Sequence, residues 1–333
     1  MEEVLVQNLL NCEEEQAQIR AANELANLSS KQKLKLTEKG VISPLISMLC
    51  SQNYEAIEAA LFALLNIAFG SERSKSRIVK SGALPALLNL LQSQNKLLIE
   101  PTITVFFILS SCKSNKLSIA SSGAIQFLVE LLDQNMYNSF SVQAKLDAIS
   151  TLHNLSTCQE IVPLFVSSGL VSTLLQLIHC SEKSSELVGK AIALLEDIVF
   201  MSNDALQEAA SAQGAIRALV ETIEEGSPQC RENAVRILLY MCKSCREKYR
   251  GLILREGVMP GLLQLSVDGT WEARNMAREL LFLLRDCSNY NSRSNQSKNE
   301  LMEQIMQEID AEDQVVETKT LRLVEKMIAK LRV

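Results

Sequence analysis

A chain of 333 residues, 47% hydrophobic and 22% charged, with 12 glycines and 6 prolines, has the composition of a folded, helix-rich soluble protein rather than a disordered one. Its net charge of −6 excludes a general nucleic-acid binder, which needs a net basic field to displace phosphate counterions. Met1, Glu2 and Glu3 begin no signal peptide, and no apolar run approaches the roughly 18–20 residues that span a bilayer, so a cytoplasmic or nuclear location is expected. The nine scattered cysteines suit a reducing compartment.

In chain order, residues 1–29 read as the last two helices of an incomplete repeat. Six fuller repeats follow, at about 30–70, 71–112, 113–157, 158–202, 203–244 and 245–286. Each contains one phrase: a glycine, two apolar residues, two variable positions, a leucine and an apolar residue. The glycines are Gly40, Gly82, Gly123, Gly169, Gly214 and Gly257, spaced by 42, 41, 46, 45 and 43 residues. A second phrase keeps the same phase, at Ala21 to Leu28, Ala60 to Ile67, Thr104 to Ser111, Ala148 to Leu155, Ala191 to Ile198, Ala234 to Met241 and Ala277 to Leu284.

Each unit is predicted to hold three helices. A short first helix, such as Lys75 to Lys80 or Arg246 to Leu254, ends before a glycine that permits a sharp bend. A second begins with Pro44, Pro85 or Pro260 in its first turn, where a missing N–H costs little. A longer third follows, as at Tyr54 to Phe69, with apolar residues at helical spacing. One unit cannot bury its stripe alone, so neighbours must stack. The 46-residue spacing places a loop around Asn135 to Phe140, with Met136, Tyr137 and Phe140 either exposed or tucked onto a neighbour.

Leu25 to Leu28, Leu65 to Ile67 and His153 to Leu155, each followed by a glycine phrase, resemble the armadillo repeat family across residues 1–286. Gly70 to Pro85 and Gly269 to Arg285 look most like the armadillo segments of plant U-box ubiquitin ligases. The resemblance implies an all-α, right-handed superhelical solenoid. Such ligases carry an E2-recruiting U-box ahead of the repeats, whereas here the repeats begin within the first few residues. An armadillo-only relative without catalysis of its own is the expectation.

In this family an Asn near the end of each third helix hydrogen-bonds the backbone of an extended ligand, which suits an amide that both donates and accepts. Asn27, Asn66 and Asn154 match that position; Ser110, Asp197, Tyr240 and Leu283 occupy it elsewhere. The tryptophan that nuclear import carriers place four residues earlier is replaced, among others by Phe62, Phe106 and Arg236, and the one Trp, Trp271, starts the last third helix. An import-signal receptor is not expected. The Asn residues have a competing role as caps of their own helix ends. If ligand contact is their role, replacing Asn66 and Asn154 with alanine weakens partner capture without lowering the melting temperature.

Arg231, Arg236, Arg274 and Arg278 are spaced to share a face, and either bind an acidic or phosphorylated segment or form a surface offset by Glu232, Glu272 and Glu279. Cys242 and Cys245 have C-x-x-C spacing but no second pair, and read as structural thiols. His153 and His179 lack a nucleophile partner, and no phosphate-binding or metalloprotease motif occurs. No cofactor or metal is expected. Residues 287–299 read as a linker, and 300–333 as an amphipathic helical tail that caps the stack, pairs with another copy or docks in its own groove. The functional expectation is a scaffold holding peptide segments of other proteins in a concave groove. Its alternatives are a substrate-recognition component serving a separate ubiquitin ligase and a tail-mediated oligomer.

Overall fold

The computed structural model describes residues 2–10, 14–28, 30–93, 95–133 and 140–285. The linker, the tail, Met136 and Tyr137 lie outside them; Phe140 lies within them and is half-buried. The described residues form helices and no strand.

The opening partial repeat is α1 (Glu2–Leu10) and α2 (Glu15–Ala26). Three-helix units follow: α3 (Ser30–Glu38), α4 (Ile42–Leu49) and α5 (Tyr54–Ala68); then α6 (Glu72–Lys80), α7 (Ala83–Leu91) and α8 (Lys96–Ser110). The third unit is α9 (Lys116–Ser121), α10 (Ala124–Leu132) and α11 (Val142–Ser156), and the fourth α12 (Val162–Ser167), α13 (Leu170–Cys180) and α14 (Glu186–Met201). The last two are α15 (Asn203–Ser211), α16 (Ala215–Glu225) and α17 (Pro228–Ser244), then α18 (Arg246–Arg255), α19 (Met259–Asp268) and α20 (Trp271–Leu284).

All six repeat glycines have positive φ, between 74° and 92°, the left-handed conformation a Cβ penalises. That single residue turns the chain between the first and second helices. In each of the six three-helix repeats the third helix is started by a side chain that accepts a hydrogen bond from the helix's own first turn. Asn53 serves α5, Asn95 α8, Ser141 α11, Ser185 α14, Ser227 α17 and Thr270 α20. Each such cap is worth about 1 kcal/mol and fixes where the helix begins, and therefore which face it turns inward.

The chain divides into two compact units between Leu177 and Ile178, inside α13. In the first, α5 packs against α2 and α8, and α8 against α11; in the second, α14 packs on α17 and α17 on α20. Third helices therefore lie side by side within each unit. Fully buried Leu61, Leu64, Phe106 and Phe165 belong to the core of the first, and Leu195, Leu219, Leu238 and Leu280 to that of the second.

Candidate functional site

The third helices also carry what the core leaves out. Among the described residues, every exposed phenylalanine or tryptophan lies on one or at its end: Phe62 and Phe69 for α5, Phe200 on α14, and Trp271 and Phe282 on α20. Phe69, Phe200 and Trp271 are 72%, 68% and 71% exposed.

In the first unit, α5, α8 and α11 line a cleft of ≈ 330 Å³, bounded by Tyr54, Glu58, Phe62, Leu97, Glu100, Pro101, Thr104, Ser141, Gln143 and Ala144. Glu100 accepts from the Ser141 backbone N–H at 2.9 Å and from its hydroxyl at 2.8 Å, tying α8 to the start of α11. Thr104 donates to Asp147 Oδ2 at 2.7 Å, and the Gln143 amide donates to Asp147 Oδ1 at 2.8 Å. Burial, with the Glu58 carboxylate adding to it, pushes the Tyr54 hydroxyl above its ordinary pKa and keeps it a neutral donor.

The three asparagines each donate to the protein's own backbone. Asn27, exposed, donates to Asn23 O at 3.2 Å. Asn66 donates to Phe62 O at 2.9 Å and accepts from Lys33 Nζ at 3.3 Å. Asn154 reaches across to α8, donating to Ser110 Oγ at 3.0 Å and to Phe107 O at 3.4 Å. Both Asn154 N–H groups are thereby engaged, and what it offers a ligand is its oxygen.

That bridge corrects the expectation that Asn154 can be truncated without loss of stability. Asn154→Ala is expected to lower the unfolding free energy by about 1 kcal/mol, the net worth of a part-buried hydrogen bond, as read from urea denaturation. An unchanged midpoint would mean that the bridge contributes nothing.

Phe106 and Ser110 need a second correction: both are completely buried, so neither faces a ligand. Phe106 fills the core of the first unit, and the Ser110 hydroxyl donates to Phe107 O at 2.8 Å. The solvent side of α8 is carried by Glu100, Thr104, Phe107 and Ser111.

In the second unit Phe200 and Tyr240 pack ring against ring, centroids 5.1 Å apart, with Asp197 half-buried one turn before Phe200. Arg236 is the hub of this face. It meets Glu196 of α14 at 2.7 Å, Glu232 of its own helix at 2.8 Å and Glu272 of α20 at 3.0 Å. Burial raises the Glu196 pKa, and the Arg236 guanidinium only partly offsets it. Burial would lower the Arg236 pKa, but Glu196 and Glu232 outweigh it and the net direction is upward.

The arginine cluster accordingly does not act as one anion site. Arg231 donates to the carbonyls of Gly226 at 2.9 Å and Glu224 at 3.1 Å, closing the end of α16. Arg236 is bracketed by carboxylates. Arg274 is half-buried, and Arg278 Nε is buried with no hydrogen-bond partner among the described residues. Lys243 meets Glu279 at 2.7 Å. Cys242 is buried, which pushes its thiol up against the pull of Arg246 and Arg250, while Cys245 is exposed. Among the described residues no group of three or more His, Cys, Asp or Glu could hold a metal ion.

A sequence model described as the plant U-box protein ARM repeat region matches residues 114–306, over half of the chain. The chain belongs to that family. U-box domain-containing protein 45 of Arabidopsis thaliana is 33% identical over 189 residues, which cover 56% of this chain and 23% of that protein. U-box domain-containing protein 5 of the same plant is 27% identical over 191 residues, 56% of this chain and 24% of that protein. The chain therefore spans about a quarter of the length of these relatives. Among solved structures, one engineered protein superposes with a TM-score of 0.73 at 20% identity, covering 99% of this chain and 78% of the other, a likeness of fold. An ARM region of this kind is a protein-binding repeat scaffold, and the repeats themselves are not catalytic.

Proposed function

We propose that this ARM region holds extended segments of other proteins against the faces formed by its third helices. The observation that carries the reading is the placement of Phe62, Phe69, Phe200, Trp271 and Phe282, all exposed and all on those helices or at their ends. Exposed aromatics supply large contact area at little entropic cost, and interface energy concentrates in such residues. Helices fixed by caps and by neighbour packing present a preformed surface, so the ordering cost falls on the ligand alone. Beside the rings, Asn27, Asn66 and Asn154 retain hydrogen-bonding capacity toward a peptide backbone.

The triple variant Phe69→Ala, Phe200→Ala, Trp271→Ala tests this. Because these rings are exposed, its helix content and melting temperature are expected to stay within a few degrees of the parent. Proteins captured by the parent chain from plant extract are expected to be lost. Full retention of the captured set would refute the reading. The names of the U-box relatives favour a refinement in which the captured proteins become ubiquitinated when E1, E2 and a U-box ligase are supplied in trans. Capture without any increase in ubiquitination would remove that refinement and leave the scaffold.

A further inference from the structure

The first helices of the early repeats differ in charge from those that follow. α12 and α15 contain no lysine or arginine, whereas α3, α6 and the short turn Lys113–Asn115 ahead of α9 carry their charge mostly as cations. In a chain of net charge −6 this concentration runs against the average.

Some of these cations are spent on the fold. Lys33 donates to Asn66 Oδ1 at 3.3 Å, Lys75 to Ser111 Oγ at 2.8 Å and Lys116 to the Thr157 hydroxyl. Each bond ties a first helix to the last turn or cap of the third helix in its own repeat. Lys39, Arg73, Arg77, Lys80 and Lys113 are different: all are exposed, and none forms a hydrogen bond or ion pair among the described residues. Arg73, Arg77 and Lys80 recur at helical spacing while Ser74 and Ile78 are buried, so the three share the solvent face of α6. α6 packs against the turn that bears Lys113, and Lys39 follows α3 one repeat earlier. Of the two carboxylates on α3 and α6, Glu72 is taken by Lys75 at 2.7 Å, which leaves Glu38 to oppose the stripe. Arg236, enclosed by carboxylates, is the opposite case.

What the stripe lacks narrows its partner. None of the exposed large apolar side chains among the described residues lies on α3 or α6, and neither helix contains an aromatic residue. A lipid surface finds no apolar anchor there, and nucleic-acid bases find no ring to stack on. Two guanidiniums four residues apart instead present planar forks that match carboxylate or phosphate oxygens.

We propose that this stripe binds an acidic segment of a second protein, apart from the ligand of the third helices. Carboxylates or phosphoserines along that segment meet Arg73, Arg77 and Lys80 through charge-assisted hydrogen bonds, and Lys39 and Lys113 extend the positive field into the neighbouring repeats. The inference goes beyond the third-helix reading and does not depend on it.

The test is the affinity of rhodamine-labelled hexa-aspartate, and of a hexapeptide bearing three phosphoserines, for the full chain by anisotropy, with hexa-glutamine as the neutral probe. The parent is expected to prefer an anionic probe, the tighter of the two identifying the acid group, and the preference is expected to shrink as salt is added. The variant Arg73→Gln, Arg77→Gln, Lys80→Gln is expected to weaken that probe about tenfold, at roughly two- to threefold per exposed contact, with little change in melting temperature. Arg20→Gln, Arg217→Gln, Arg255→Gln removes the same charge from exposed positions outside the stripe and is expected to change affinity less than about twofold. Equal losses from the two charge variants, or no preference for an anionic probe, would overturn the proposal. Tighter binding to vesicles of phosphatidylserine and phosphatidylcholine in equal parts would reassign the stripe to a lipid surface and overturn it as well. The triple aromatic variant is expected to bind the acidic probes as the parent does; their loss there would place the site on the third helices instead. The scaffold reading survives failure of the stripe, because it is decided by the proteins that the aromatic variant captures.

Discussion

Replacing Phe106 with alanine is expected to lower the unfolding free energy of the first unit by about 3–5 kcal/mol, the range for truncating a fully buried aromatic side chain. Phe106 has no exposed surface, and α8, which bears it, is packed between α5 and α11. The cavity left behind has walls on both sides, and stacked units can relax only by shifting a whole helix. Phe62→Ala, by contrast, removes a ring that is 46% exposed and is expected to cost about 1 kcal/mol or less. Urea denaturation of the two variants makes the comparison. A Phe106→Ala protein as stable as the parent would contradict the placement of that ring in the core.

The second large effect is expected at Arg236. Arg236→Leu leaves Glu196, Glu232 and Glu272 facing one another without a cation. Removing one partner of a buried pair costs about 3–5 kcal/mol; Arg236 is partly solvated and Glu272 mostly exposed, so about 2–3 kcal/mol at neutral pH is the expected loss. The deficit has a definite pH dependence. The folded pKa of Glu196 already lies above its unfolded value, so this group stabilises the fold at pH below the unfolded value. That stability is lost as pH rises through the folded pKa. Taking away the guanidinium that opposes the shift raises the folded pKa further. The melting-temperature gap between parent and variant is therefore expected to narrow as pH falls from 7 toward 5. A gap that widens over that interval would mean that Glu196 is not held by Arg236.

The repeat was legible in the sequence because it recurs: the glycine phrase marks the turn before every second helix, and all six glycines take positive φ. The one third helix whose limits were read from the apolar pattern was legible to within a residue. Tyr54 to Phe69 was expected and Tyr54–Ala68 is found. The candidate site was less legible, and α8 shows why. Its residues Leu98, Ile99, Ile103, Val105, Phe106, Ile108 and Leu109 are all buried, so apolar periodicity does not fix the rotational phase of the helix. Aligning Thr104 to Ser111 with Ala60 to Ile67 put Phe106 and Ser110 two positions out of step. The caps carry the missing signal: Asn53 and Asn95 are 42 residues apart, as are Gly40 and Gly82, and the same step from Phe62 leads to Thr104, which shares its cleft.

For the arginine face the sequence left an anion site and a surface offset by carboxylates both open, and Arg236 takes the second. Spacing along α17 and α20 shows which residues share a helix face, and it cannot show what the adjacent helix presents. Glu196 lies 40 residues before Arg236 and Glu272 lies 36 after it, one repeat away on either side. Stacking alone brings them to the guanidinium. Asn154 was misjudged in the same manner, since its partners on α8 are 44 and 47 residues distant. Contacts between repeats thus consume side chains that, read one helix at a time, look free for a ligand.

The most direct test of the scaffold account is hydroxyl-radical footprinting of the full chain, alone and saturated with a protein it captures. The account predicts that oxidation of Phe62, Phe69, Phe200, Trp271 or Phe282 falls on binding, while Leu117 on α9 and Leu164 on α12, also exposed but on first helices, stay unchanged. Protection of Leu117 and Leu164 with none at the five aromatic rings would contradict it.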